Sequence, residues 1–268
     1  MTTRSVSVAM ATYNGAKYLP AQLESIAQQT VLPLELVITD DGSSDSTREI
    51  AEEFSRSAPF PVRKIRNDPR LGSANNFFKA AGLCQGDLIA FCDQDDVWQN
   101  NKLEVCTRYF EDPEVLLAIH SMEMVDEDLQ PLNQTVLPLS KSRVVPPLHL
   151  DPWWLPHGCS MLFTADLLHA FDHAHRPDAH IGDDLSHDMW VYFLAHACGK
   201  IALIPDKLTL YRRHTSNFSG SPVISLGKQL KKSKGASSDT YRDSARLVRQ
   251  RRDFLLDSSK RRTAVCGL

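Results

Sequence analysis

Short apolar runs alternate with stretches in which apolar residues return every three or four positions, and this alternation organises residues 5–122. Residues 5–11 form a brief apolar run, as expected of a strand covered on both faces. After Asn14-Gly15, the residues Leu19, Leu23, Ile26 and Ala27 recur at helical spacing. A second run, Leu34 to Thr39, ends in Asp40-Asp41-Gly42. Ser43, Ser44 and Asp45 then offer good helix caps, and Ile50 and Phe54 mark the core face of the next helix. Val62 to Arg66 predicts a third strand, followed by a helix carrying Ala74, Phe77, Phe78 and Ala81. Gln85-Gly86 closes that helix. A strand over 87–93, a helix with Leu103, Cys106 and Phe110, and a strand over Val115–Ile119 complete the series. Repeated β-α units predict an α/β fold with a mostly parallel twisted sheet flanked by helices. In such sheets ligands sit beyond the carboxyl ends of the strands, where Thr12-Tyr13-Asn14, Asp40-Asp41 and Asp93–Asp96 all fall.

The pattern changes after residue 122. Six prolines between 131 and 156 predict irregular loops over the site. His157–Phe163 reads as a strand leading into a helix near Ala165–Phe171. Trp190, Phe193, Leu194 and Ala197 predict another helix, and Ile201–Ile204 with Leu208–Arg212 a pair of strands. From Ser221 the chain is basic and polar, with Tyr241, Ala245 and Val248 suggesting one amphipathic helix. The expected organisation is one domain over 1–220 and a basic helical tail over 221–268, read most simply as a solvated end.

Composition narrows the classes. With 268 residues and 42% hydrophobic content, the chain can bury a substantial core. A net charge of -3 and a pI near 6.4 point away from nucleic acid. The 6 cysteines form no C-x-x-C pair and read as reduced, buried thiols of a cytosolic protein. Met1–Ser5 runs almost directly into a strand, so no signal peptide is expected. No apolar run reaches the roughly 18–20 residues of a membrane span, and the sequons at Asn133 and Asn217 read as chance.

The chemistry concentrates in Phe91-Cys92-Asp93-Gln94-Asp95-Asp96-Val97-Trp98. Strand side chains alternate faces, so Asp93 and Asp95 point the same way where the strand gives out. Two convergent carboxylates suit a hard divalent cation, manganese or magnesium, with substrate phosphates completing the coordination. A solvated acidic turn is the plain alternative. Against it stands the second acidic strand end at Asp40-Asp41, which argues for one shared site.

Met10-Ala11-Thr12-Tyr13-Asn14-Gly15, Ile38-Thr39-Asp40-Asp41-Gly42-Ser43-Ser44-Asp45 and Phe91–Trp98, in that order and spacing, resemble family 2 glycosyltransferases of the GT-A nucleotide-diphospho-sugar transferase fold. The Asp-Gln-Asp-Asp-Val-Trp form and Tyr211-Arg212-Arg213-His214 are most similar to bacterial rhamnosyltransferase-like and O-antigen or capsule transferases. The similarity spans about 5–215. It implies a nucleotide-binding half over 1–122 and an acceptor-binding half over 123–220. It further implies an inverting enzyme that moves one sugar from a UDP- or dTDP-linked donor to a lipid-linked or oligosaccharide acceptor, in surface polysaccharide or lipopolysaccharide assembly.

Residue by residue, the resemblance places Thr12, Tyr13 and Asn14 at the nucleotide, with Tyr13 stacking on the base. Asp41, with Asp40 nearby, would accept from the ring N–H of a pyrimidine. Asp93 would lie near the ribose, and Asp95 would hold the cation. His214 would ligate the metal or contact the diphosphate. Trp98, Gly158, His187 and Arg212 would contact substrate. Asp188, ahead of the second-half helix, would be the base, with Asp183 and Asp184 as rivals. Two departures stand out. Asn75-Asn76 replaces an Arg-Asn pair frequent in these enzymes, and the Gln-x-x-Arg-Trp motif of processive members is absent. The tail would sit loosely on the anionic inner face of the cell membrane, where a lipid-linked acceptor is found.

Other readings fit less well. His169 and His173 stand at i,i+4 but lack the Glu of a His-Glu-x-x-His zinc helix. An Asp-nucleophile phosphohydrolase would place Asp-x-Asp after the first strand, where this chain has Thr12-Tyr13-Asn14. A sugar nucleotidyltransferase would place a Gly-rich basic loop there. A non-catalytic sugar-nucleotide-binding protein would need neither the Asp-x-Asp nor a base.

Overall fold

The computed structural model of the chain describes residues 4–180, 183–214 and 238–257. Its centre is a sheet built on four parallel strands: β1 (Val6–Thr12), β2 (Glu35–Asp40), β3 (Val62–Arg66) and β4 (Leu88–Cys92). Between them run α1 (Leu19–Ala27), α2 (Thr47–Ser57) and α3 (Ser73–Gly82). A two-residue strand, β5 (Val97–Trp98), and α4 (Lys102–Thr107) lead to β6 (Val115–Val125).

Period-two alternation decides which layer each side chain joins. Ile89 and Phe91 of β4 pack with Phe77 and Phe78 of α3 on one face. Leu88, Ala90 and Cys92 pack with Leu19, Leu23 and Ile26 of α1 on the other. Both layers exclude water from β1, β2 and β4, which are buried along almost their whole length, whereas the edge strand β3 is partly exposed and carries Arg63, Lys64 and Arg66.

The second half adds β7 (Pro131–Val136), β8 (Arg143–Val145), β9 (Met161–Thr164), α5 (Asp166–His169), a hairpin of β10 (Asp178–His180) and β11 (Asp183–Asp184), α6 (His187–Cys198) and β12 (Lys200–Arg212). The sheet runs β3-β2-β1-β4-β9-β6-β12-β5, with β7 on β6 and β8 on β12. β9 lies antiparallel to both β4 and β6 and closes the gap between the halves.

Three expectations change here. The loops foreseen over 126–156 contain β7 and β8; β7 is largely exposed and borrows its pairing from the edge of β6, so no apolar alternation betrays it. The expected pair of strands over 201–212 is one strand, whose register shifts between Ile204 and Thr209 let it turn through the interruption at Pro205-Asp206. The strand foreseen at Val115–Ile119 continues to Val125.

The last helix, Ser238–Asp257, is also unlike the solvated end foreseen. Phe254 meets Trp190 of α6 edge-on, ring centroids 5.1 Å apart, and reaches Phe171 and Phe193 at 6.2 and 6.3 Å. Arg251 is buried; its guanidinium lies 4.2 Å from the Trp153 ring and donates to the Pro152 carbonyl. The remainder of the expected tail lies outside the described residues. Among the described residues, no helix is long and apolar enough to cross a membrane.

Candidate active site

Two adjoining cavities open at the carboxyl ends of β1, β2 and β4. The larger, of about 690 Å³, is lined by Tyr13, Asn14, Lys17, Asp41, Arg70, Asp93, Asp95, Glu127 and His214 among others. The smaller, of about 410 Å³, is lined by His157, Gly158, His187, Asp188 and Tyr211. Ser73, Asp93 and Asp95 border both. A further cavity of about 680 Å³ runs between α2 and β3. Its Lys64 and Arg56 pair with Glu52 at 2.8 and 3.8 Å, the arrangement of a solvated ionic groove.

At the closed end of the larger cavity, Asp40 and Asp41 part company. Asp41 turns into the cavity. Its Oδ1 accepts from Leu71 N–H (2.7 Å) and Asn67 Nδ2 (3.1 Å), and its Oδ2 from Gly72 N–H (2.9 Å). Burial pushes this carboxyl upward, but those three donors outweigh it and hold it below the ordinary range. Asp40 points away and locks the turn. It accepts from Thr12 Oγ1 (3.0 Å), Ser43 N–H (2.9 Å) and Ser43 Oγ. Asp40 is thus a strut, and the side chain of Thr12 serves the same turn. Successive residues leaving a strand face opposite sides, so one acid of the pair had to face away.

The Tyr13 ring is part-exposed, and the Arg70 guanidinium covers it at 3.6 Å while approaching Asp41 at 3.7 Å. Sequence reasoning missed Arg70, which precedes α3 in an irregular turn. It brings a guanidinium to the cavity lining. Asn76 is buried and structural, donating to the carbonyls of Thr39 (3.0 Å) and Thr12 (3.3 Å). Gln94 was missed too: its amide pairs with both the N–H (2.9 Å) and C=O (3.0 Å) of Tyr13, as a neighbouring strand would. A Cβ on Gly15 would stand 2.2 Å from Gln94 Oε1 and push that amide from its place on Tyr13. Asn14, at φ 48°, binds Ser44 N–H through Oδ1 and joins the two loops.

The Asp93–Asp96 turn is held from beneath. Asp96 is buried and accepts from Arg212 N–H (3.1 Å); burial, with Asp95 and Asp93 close by, raises it well above the ordinary carboxylate range. Burial and the neighbouring Asp95 push Asp93 up to about 7. His214 Nε2 lies 2.9 Å from Asp95 Oδ2. One carboxylate and one imidazole facing a cavity rich in acids suit manganese or magnesium, with positions left for phosphate and water oxygens. Asp93, Asp96 and Cys159 also bring donor atoms within 4.8 Å of one another. That trio is a poorer cradle, because burial raises the Cys159 thiol well above its ordinary value and Asp96 already serves Arg212.

Two expected substrate contacts lie elsewhere. Trp98 is 2% exposed and belongs to the core beneath the turn, with the buried Lys102 Nζ 3.7 Å from its ring. Its strand pairs with β12, which turns the indole inward. Arg212 is likewise a staple: its guanidinium donates to the carbonyls of Asp95 (2.8 Å) and Glu127.

In the smaller cavity, Asp188 stands in the first turn of α6, its Oδ1 accepting from Ser186 Oγ and from Met189 N–H (2.8 Å). Its rivals line neither cavity. Asp184 pairs with Arg176 at 3.3 Å, and Asp183 is exposed on the β10–β11 hairpin. His187 is buried, stacked on Phe77 at 3.9 Å and edge-on to Phe91. A Cβ on Gly158 would stand 2.7 Å from His187 Nε2, so the bare glycine lets the imidazole close the cavity floor. His157, its ring 5.4 Å from Tyr211, lines the same cavity and had no signal in the sequence beyond preceding Gly158.

Comparison with known proteins agrees with this fold. The Glycosyl transferase family 2 model matches residues 7–165, more than half of the chain, and the chain belongs to that family. An uncharacterized glycosyltransferase of Nostoc is 27% identical over 234 residues, covering 85% of this chain and 70% of its own. A dTDP-rhamnosyl transferase of Shigella flexneri is 38% identical over 99 residues, 35% of this chain and 34% of its own. A UDP-Glc:alpha-D-GlcNAc-diphosphoundecaprenol beta-1,3-glucosyltransferase of Escherichia coli is 38% identical over 100 residues, 37% and 38%. The S. aureus TarS fragment solved with UDP-GlcNAc superposes with a TM-score of 0.63 at 20% identity, over 82% of this chain and 62% of that one. That likeness establishes the GT-A fold. The chain spans about three fifths of the solved TarS fragment and between 59% and 70% of the relatives matched over most of its length.

Proposed function

We propose that this chain is a metal-dependent inverting glycosyltransferase. It would move one sugar from a UDP- or dTDP-linked donor to a hydroxyl of a lipid-linked or oligosaccharide acceptor in bacterial surface polysaccharide assembly. The observation that carries this reading is the pair of cavities sharing Asp93 and Asp95. One is equipped at its far end to read a base; the other holds a carboxylate against open space.

In the larger cavity, Asp41 remains an anion held by three donors. A pyrimidine imide N–H would meet Oδ2, with the base replacing the Arg70 guanidinium over Tyr13. Asp93 would sit by the ribose. Asp95 and His214 would hold the divalent cation, which when bound neutralises charge on the departing nucleoside diphosphate. Asp188 would take the proton of the acceptor hydroxyl as its oxygen attacks the anomeric carbon. The bond from that carbon to the diphosphate oxygen breaks on the opposite face, so the configuration inverts and the nucleotide leaves with the bonding pair. The site of action would be the cytoplasmic side of the membrane, with the chain peripheral to it through its basic end.

A thermal-shift screen of nucleotides and nucleotide sugars, with and without manganese, tests this directly. UDP or dTDP compounds should raise the melting temperature with manganese, by mass action, more than GDP or ADP. A larger shift with GDP would remove Asp41 as a reader of pyrimidines. Binding of a UDP-sugar without nucleoside diphosphate release over any acceptor would favour a non-catalytic binding protein.

A further inference from the structure

The larger cavity carries a cation that neither the base-reading end nor the Asp95–His214 pair uses. Lys17, in the loop between β1 and α1, lines the cavity with an exposed side chain. Its ammonium sits 2.5 Å from Glu127 Oε2, and Glu127 comes from the turn after β6, across the cavity. The same oxygen accepts from Tyr18 OH at 3.1 Å. Tyr18 in turn packs its ring on His214, centroids 4.5 Å apart, beside Asp95. The pair therefore closes the metal end of the cavity, opposite Arg70 and Asp41.

Charge makes the contact consequential. Asp41, Asp93, Asp95 and Glu127 line the cavity against two permanent cations: Arg70 at the end that holds Tyr13 and Asp41, and Lys17 at the end that holds Asp95 and His214. A diphosphate entering between Asp95 and Glu127 meets carboxylates on both sides. An ammonium has three donors, so Lys17 can keep one on Glu127 and turn the others to phosphate oxygens, or leave Glu127 altogether. An exposed pair of this kind contributes little to folding, so exchanging its partner costs little.

We propose that Lys17 is the protein's own cation for the leaving diphosphate and that Glu127 is its placeholder, holding the ammonium in the cavity until the nucleotide arrives. This rests on the larger cavity being the donor site. Ionic exchange of this type places a positive charge where negative charge develops as the bond to the sugar breaks. Glu127 then acts with opposite sign to Lys17. It positions the lysine, but its charge opposes the diphosphate.

Isothermal calorimetry of the full chain with UDP and with uridine, in manganese buffer, separates the possibilities. Lys17→Gln should weaken UDP about tenfold, the scale of one charge-assisted hydrogen bond, and leave uridine unchanged. Glu127→Gln, which keeps an acceptor for Tyr18, should tighten UDP about threefold, the scale of one screened charge contact. In the double variant the two effects should fail to add, since Glu127 acts in part by holding the Lys17 ammonium. Equal UDP affinity in the parent and Lys17→Gln would overturn the proposal while leaving the donor site intact. So would weaker binding by Glu127→Gln, which would make the pair a merely structural clasp. A parent that binds neither UDP nor uridine would overturn the donor reading as well.

Discussion

Asp188 has both of its hydrogen bonds on Oδ1, from Ser186 Oγ and its own helix's first turn, and this fixes the carboxylate against the smaller cavity. Removing only its basicity, as in Asp188→Asn, should preserve donor binding and lower turnover by ~100- to 10,000-fold. A coupled assay for released nucleoside diphosphate measures this. Asp184→Asn, which loses only an ion pair with Arg176, should turn over near the parental rate. The reverse pattern would move the base to Asp184. Asp41 supports a prediction of a different kind. Its folded-state value lies below the ordinary one, so the stabilisation is complete above the unfolded value of about 4 and is lost as pH falls through the folded value. The difference in melting temperature between the parent and Asp41→Asn should thus hold steady from neutral pH down to about 4.5 and narrow below it. A difference that widened in acid would mean that the carboxyl is not the anion that Leu71, Asn67 and Gly72 hold.

Elements show why the site was legible only in part. Strand parity predicted that Asp93 and Asp95 share a side, and both border the two cavities. The same parity sends Asp40 away from Asp41, yet a sequence does not say which of two adjacent acids faces inward. Trp98 misled because it follows the acidic turn, whereas pairing of β5 with β12 is a long-range event with no local signature. Arg70 and Gln94 act from irregular segments, where periodicity carries no information. The last helix was visible as amphipathic, but not its partner. Its apolar stripe is short, and Phe254 gains meaning only beside Trp190 and Phe193. Phe254→Ala should cost about 2 kcal/mol, less than for a fully buried ring because Phe254 is half-buried. Urea denaturation with an unchanged slope would measure that loss. A variant as stable as the parent would show the helix to be dispensable for the fold.

At the scale of the whole molecule, the β-α series over the first half was readable because each unit is local: a strand, a turn, and a helix that covers it. The second half was not, because β9 reaches back between β4 and β6 and only the completed sheet explains it. That interposed strand also limits how such proteins can diverge. A chimera that joins residues 1–122 of this chain to the second half of a relative would ask a foreign strand to match Leu88–Ala90 on one side and Leu117–Ile119 on the other. The graft has to keep Met161–Thr164, or bring β4 and β6 along with it. The loops over 126–156 and the start of α6 can therefore be exchanged without touching that seam, whereas the second half cannot be replaced wholesale without disturbing it.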